Sequence, residues 1–107
     1  MADKKKCAAE VVSQKLVSEG IYSMWLSFPE RQDIAATAVP GQFLSLYCKD
    51  GSRLLPRPIS ICEIDREEGR IRIVYRVVGR GTEEFSKLTA GDTVAVVGPL
   101  GNGFTVH

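Results

Sequence analysis

The sequence predicts a mainly β fold, a small antiparallel barrel or sandwich of six short strands with one late helix. Three observations carry that expectation. Six short strand-like runs appear, three of them alternating apolar with polar side chains, turn-forming residues separate them, and a helix-start pattern, Thr82-Glu83-Glu84, appears only near the end. Closing the sheet removes the unpaired edges that so many strands would otherwise expose. No internal repeat or low-complexity linker interrupts the pattern, and the 107 residues read as a single domain.

Taken in order, residues 1–7 are polar and read as a frayed start. Glu10 to Val17 mixes β-branched with polar residues and ends at the Glu19-Gly20 turn, a first strand. In Ile21 to Phe28, an extended chain puts Tyr22, Met24, Leu26 and Phe28 on one face, with Ser23, Trp25 and Ser27 opposite. Pro29 stops it. Glu30 to Val39 is either a loop or a turn of helix. Gln42 to Cys48 alternates again, with Phe43 and Tyr47 on one side and Leu44, Leu46 and Cys48 on the other, before a Lys49-Asp50-Gly51-Ser52 hairpin turn. Leu54 to Pro58 carries too much proline for a central strand and reads as an edge or entry segment into Ile59 to Ile64. Arg70 to Val78 is the clearest strand, with Ile71, Ile73, Tyr75 and Val77 on an apolar face and Arg70, Arg72 and Arg76 on the other. Thr82 reads as the N-cap of a short helix whose Phe85 and Leu88 pin it to the core. Thr93 to Val97 is the last strand, and the glycine-rich run from Gly98 to Phe104 is a loop.

Composition narrows the function. Fourteen basic and 13 acidic residues leave a net charge of +1, which offers no global field for nucleic acid or for an anionic membrane, and no stretch approaches the length of a membrane span. An anionic ligand must therefore be gripped locally. Three widely spaced cysteines, Cys7, Cys48 and Cys62, match neither a zinc pair nor an iron–sulfur spacing and read as idle thiols of a cytoplasmic protein. Arg70 and Arg72 read as a solvated strand face or a subunit contact, Trp25 as core or barrel wall, and the terminal His107 as uninvolved in chemistry.

The chemistry is concentrated between Arg57 and Thr82. Prolines at 56 and 58 stiffen the backbone that presents Arg57, whose guanidinium is suited to gripping a phosphate with two parallel hydrogen bonds. Ser60 could donate to or accept from a ring nitrogen. Gly79-Arg80-Gly81-Thr82 lies where a strong strand gives way to a helix, so its backbone N–H groups face whatever occupies the turn, and the Thr82 hydroxyl either caps the helix or binds a phosphate oxygen. It is not a Rossmann fingerprint, because Glu84 stands where the third glycine is required. Each piece alone is equally an ordinary turn. Together they read as a cradle for a large phosphorylated cofactor, a flavin.

Arg57-Pro58-Ile59-Ser60, Tyr75-Arg76, Gly81-Thr82 before a helix, Pro40-Gly41-Gln42-Phe43 and the final glycine-rich loop resemble the flavin domain of the ferredoxin reductase superfamily. Within it the chain is most similar to the electron-transfer subunits of type B dihydroorotate dehydrogenases. The resemblance implies a six-stranded antiparallel Greek-key barrel with one short capping helix, holding FAD. It implies that Arg57 neutralises the diphosphate and that Ser60 places a hydroxyl near flavin N5. It further implies that Pro58, Ile59, Val74, Tyr75 and Arg76 line the flavin and that Gly81 and Thr82 contact phosphate at the helix start. Ile59 departs from the pattern, since many relatives carry an aromatic residue there that stacks on the ring.

In an intact subunit of this kind, NADH reduces FAD, and electrons pass through a [2Fe-2S] centre to an FMN-containing dihydroorotate dehydrogenase catalytic subunit in pyrimidine biosynthesis. The NAD-binding and iron–sulfur domain of the family would follow Phe104, so the chain reads as the flavin module alone, inactive toward NADH by itself. Where such a neighbour is missing an apolar patch is expected, and with it a homodimer. Two alternatives accompany this reading: the flavin module of a sulfide dehydrogenase or ferredoxin:NADP reductase subunit, and a non-enzymatic barrel that binds RNA or protein.

Overall fold

The computed structural model describes residues 6–48 and 56–101. The chain forms β1 (Cys7–Ser18), β2 (Ile21–Ser27), α1 (Asp33–Thr37), β3 (Phe43–Tyr47), β4 (Arg57–Asp65), β5 (Arg70–Arg76), α2 (Arg80–Ser86) and β6 (Thr93–Leu100). The strands close into an antiparallel barrel in the order β1-β2-β5-β4-β3-β6. With β3, β4 and β5 adjacent in sequence and in space, and β6 returning beside β3, the connection is a Greek key. The alternation seen in the sequence decides which way each side chain turns. Met24, Leu26, Leu44, Leu46, Ile71, Ile73, Val94 and Val96 fill the barrel, each at most 2% exposed, and Phe85 of α2 plugs one end.

Three local readings are corrected, and one left open is decided. The start is ordered earlier than expected: Cys7 pairs with Val96, and the Lys6 ammonium sits 4.2 Å from the centroid of the Tyr47 ring. Pro58 lies inside β4 rather than before it. The N–H of Ile61 donates to the carbonyl of Gln42 on the β3 side, so alternation turns the edge where Pro58 lacks an N–H away from β3. At the other end, β6 runs on through Gly98 and Pro99 to Leu100, which pairs with Phe43. Gly98 has φ +149°, and a β-carbon there would stand 2.8 Å from Leu44 Cδ2, so β3 and β6 approach this closely only around a glycine.

The segment left open between a loop and a turn of helix is helical. Residues 30–39 contain α1, which buries Ile34 and Ala35, and Arg31 braces its first turn through two hydrogen bonds to Asp33. That guanidinium holds the Asp33 carboxyl below the usual carboxylate range. The far end is held by a residue 28 or more positions away in sequence: Arg66, in the β4–β5 turn, donates to the carbonyls of Ala35 (3.0 Å), Ala36 (2.8 Å) and Ala38 (2.8 Å). Arg66→Ala is expected to cost about 1–2 kcal/mol, read as a fall in melting temperature of roughly 4–8 °C per kcal/mol. Arg66→Lys should recover little of it, because one ammonium cannot span three carbonyls.

No helix among the described residues is long and apolar enough to cross a membrane. The Asp50-Gly51 turn, Lys4 and Lys5, the loop residues Asn102 to Phe104, and His107 lie outside the described residues.

Candidate functional site

The barrel has a seam. The ladder between β4 and β5 runs from Asp65 opposite Arg70 to Ile61 opposite Ile73, with a bulge between Ile61 and Glu63. Beyond it the strands separate. Among the described residues, Arg57 to Ser60 pair only with β3, and Val74 to Arg76 only with β2. The opening between them is a cleft of about 390 Å³ lined by Arg57, Pro58, Ile59, Ser60, Val74, Tyr75, Arg76, Val78 and Thr82, within the ~300–1,000 Å³ range of small-molecule sites. By alternation from Ile61, the Ser60 N–H turns into the seam, where it meets no neighbouring strand and is available to a ligand.

Eight of the nine residues singled out from the sequence therefore line one cleft, and Gly81, the ninth, lies just behind it. Arg57 joins the two groups. A β-carbon on Gly81 would stand 3.2 Å from Arg57 Nε and 3.3 Å from Cys48 Sγ, and one on Gly79 3.8 Å from Arg57 Nη2, so the arginine arm passes over the turn that opens α2. The Arg57 Nε is buried and has no hydrogen-bond partner. An unsatisfied buried donor costs about 1–3 kcal/mol, more when charged, and an anionic oxygen at this end of the cleft would relieve it. On that ground the residues present fit a phosphorylated ligand.

The threonine differs from expectation. Gly79, with φ +97°, is the N-cap of α2, and Thr82 lies in the first turn, 5% exposed. Its hydroxyl accepts the Val78 N–H at 2.7 Å and donates to the Gly79 carbonyl at 3.3 Å, tying the exit of β5 to the helix. Only the second, longer bond can be exchanged for a ligand oxygen. Ile59 also differs: 6% exposed and opposite Leu44, it gives most of its side chain to the core, so Pro58 and Ser60 are the outward residues of β4 between Arg57 and Ile61.

Tyr75 contributes to the wall without offering its hydroxyl. The ring stacks on Tyr22 (centroids 5.9 Å apart) and meets Phe85 edge-on (6.4 Å), while the phenol donates to Gln14 Oε1. Burial, aided by the Tyr22 phenol and opposed by the Gln14 bond, pushes the Tyr75 hydroxyl above the ordinary tyrosine range. The unfolded chain therefore releases this proton first. The stabilisation is complete below about pH 10 and is lost as pH rises through the raised folded value. Tyr75→Phe should flatten the alkaline limb of a stability-against-pH curve measured by urea unfolding.

Arg72 is not a solvated strand residue. It donates to Ser23 (2.8 Å), Glu63 (3.2 Å) and the Cys62 sulfur (3.5 Å) across three strands of the outer wall. Sequence reasoning also missed Val78, Cys48 and the role of Gln42. The Gln42 carboxamide accepts from Val39 N–H and donates to the Gly101 carbonyl, both at 2.9 Å, and so holds Gly101, the residue directly after β6. Only Val78, the last residue of the predicted Arg70 to Val78 strand, carried a local signal.

A closed Greek-key barrel with a cationic, glycine-backed cleft in one seam defines a flavin-binding class. The chain belongs to the oxidoreductase FAD-binding domain family, whose profile matches residues 8–104. It is 46% identical over 94 residues to the dihydroorotate dehydrogenase B (NAD(+)) electron transfer subunit of Streptococcus mutans, covering 88% of this chain and 35% of that protein. The corresponding subunit of Desulforamulus reducens is 43% identical over 99 residues, covering 92% of this chain and 37% of that protein. The solved structure of an NADH-dependent reduced ferredoxin-NADP oxidoreductase superposes with a TM-score of 0.79 at 32% identity, over 91% of this chain and 34% of that one. The chain thus spans little more than a third of the curated relatives it matches, and it is an FAD-binding electron-transfer module.

Proposed function

We propose that this chain holds FAD for an NADH-linked electron-transfer subunit that serves an FMN-containing dihydroorotate dehydrogenase catalytic subunit in cytoplasmic pyrimidine biosynthesis. The observation that carries the binding mode is the buried, unpartnered Arg57 Nε at one end of an open strand seam. Arg57 takes the diphosphate, with the Gly79 to Thr82 turn beside it. Pro58, Ile59, Val74, Tyr75 and Arg76 enclose the ring system, and the Ser60 hydroxyl and backbone N–H stand at its reactive edge. FAD, when bound, supplies the exchange between a two-electron hydride donor and one-electron carriers. The chain's own residues bind, orient and shield it from water.

NADH binding and the [2Fe-2S] centre belong, in this reading, to a further domain. Among the described residues no group of three or more His, Cys, Asp or Glu is placed to hold a metal ion.

The test is a visible absorption spectrum of the purified chain, then titration of the flavin-free protein with FAD and with FMN. FAD should bind in preference to FMN. Binding of neither by a chain whose circular dichroism shows the intact barrel would sink the proposal, and rapid NADH oxidation by this chain alone would refute the need for a further domain.

A further inference from the structure

We infer that Gln14, on β1, is a positioning residue that sets the spacing between the two ends of the cofactor cleft. The inference rests on the flavin reading above and deepens it. A bulge between Val11 and Ser13 shifts the β1 register so that Gln14 lies opposite the fully buried Met24. Its carboxamide reaches the end of the barrel beneath α2. There Oε1 accepts the Tyr75 hydroxyl, while Nε2 donates to the carbonyls of Phe85 (3.0 Å) and Leu88 (2.8 Å).

Each of these bonds reaches 61 or more residues along the chain. Tyr75 belongs to the wall at the ring end of the cleft. Phe85 belongs to the helix whose first turn carries Gly81 and Thr82, the phosphate end, and that helix has no basic residue in its last turn and no side-chain cap at its start. One side chain thus ties both ends of the cleft to the barrel. An apolar residue of similar size would fill the space yet leave the Tyr75 hydroxyl without its acceptor and the Phe85 and Leu88 carbonyls without their donor, so the bonds, not the volume, are what position the ends.

FAD spans both ends, whereas riboflavin, which lacks phosphate, engages the ring end only. Gln14→Met in the full chain should lower FAD affinity about tenfold and riboflavin affinity less than threefold. Amide hydrogen exchange across residues 84–88 should quicken about tenfold without ligand. Tyr75→Phe, which removes only the hydroxyl, should shift the FAD-to-riboflavin ratio in the same direction by about threefold, and the double variant should be no worse than Gln14→Met, since both remove one coupled unit.

An unchanged ratio in a folded Gln14→Met protein that still binds FAD overturns the positioning role, as does an equal loss for both ligands, which would make Gln14 a packing residue. Should Gln14→Met fail to fold, Tyr75→Phe decides by the same ratio. A wild-type chain that takes neither flavin overturns the flavin reading and this inference with it, an outcome distinct from normal wild-type binding with an insensitive variant.

Discussion

Arg57→Ala should weaken FAD binding by about 10- to 100-fold, the loss of a charge-assisted contact of roughly 1.5–3 kcal/mol, while leaving the barrel folded. The two halves of that expectation have separate causes. The affinity is lost because the guanidinium places a positive donor over the Gly79–Gly81 turn. The fold survives because the Nε is buried without a hydrogen-bond partner from the chain, so deleting it removes a cost as well as some packing of the arm. Fluorescence titration with FAD reads the first, and thermal melting by circular dichroism the second. Arg57→Lys should regain only part of the affinity, since an ammonium restores charge without the planar pair of donors. If the alanine variant were unfolded, Arg57 would be a structural residue and the assignment of the phosphate end would fall.

The largest effect on stability is expected at Phe85. Its ring is fully buried, closes one end of the barrel and meets Tyr75 edge-on. Phe85→Ala should cost about 3–5 kcal/mol through lost burial and the cavity left behind, a large share of the roughly 5–15 kcal/mol that holds a domain of this size together. Because Phe85 anchors α2, FAD binding should be lost in parallel with stability, unlike in Arg57→Ala. Urea unfolding measures the cost. A loss below about 1 kcal/mol would show that α2 does not share the core of the barrel.

The strands were legible because a barrel wall has an inside and an outside, and every strand writes that difference into its sequence with period two. Tyr22, Met24 and Leu26 declare the register of β2 without reference to any partner. The segments of the candidate site were legible by resemblance to a family, since Arg57 to Ser60 and Val74 to Arg76 each lie within one short motif. The α1 helix was not, because what completes it is the Arg66 guanidinium from a distant turn. Thr82 was misplaced by one helical turn because a threonine before two glutamates has the composition of an N-cap, whereas Gly79 takes that position through a backbone angle.

The sequence by itself determined the strand alternation, the core, and the segments that carry the candidate site, since these depend on neighbours one to four residues apart. Only the tertiary structure decided that β4 and β5 part after Ile61 and Ile73, that the Arg57 arm crosses Gly81, and that Gln14 joins Tyr75 to α2. The reason is physical. Alternation and turn preferences are local energies, summed along the chain, whereas a seam, a buried unpaired donor and a three-way hydrogen bond exist only after closure brings together residues with no regular spacing between them.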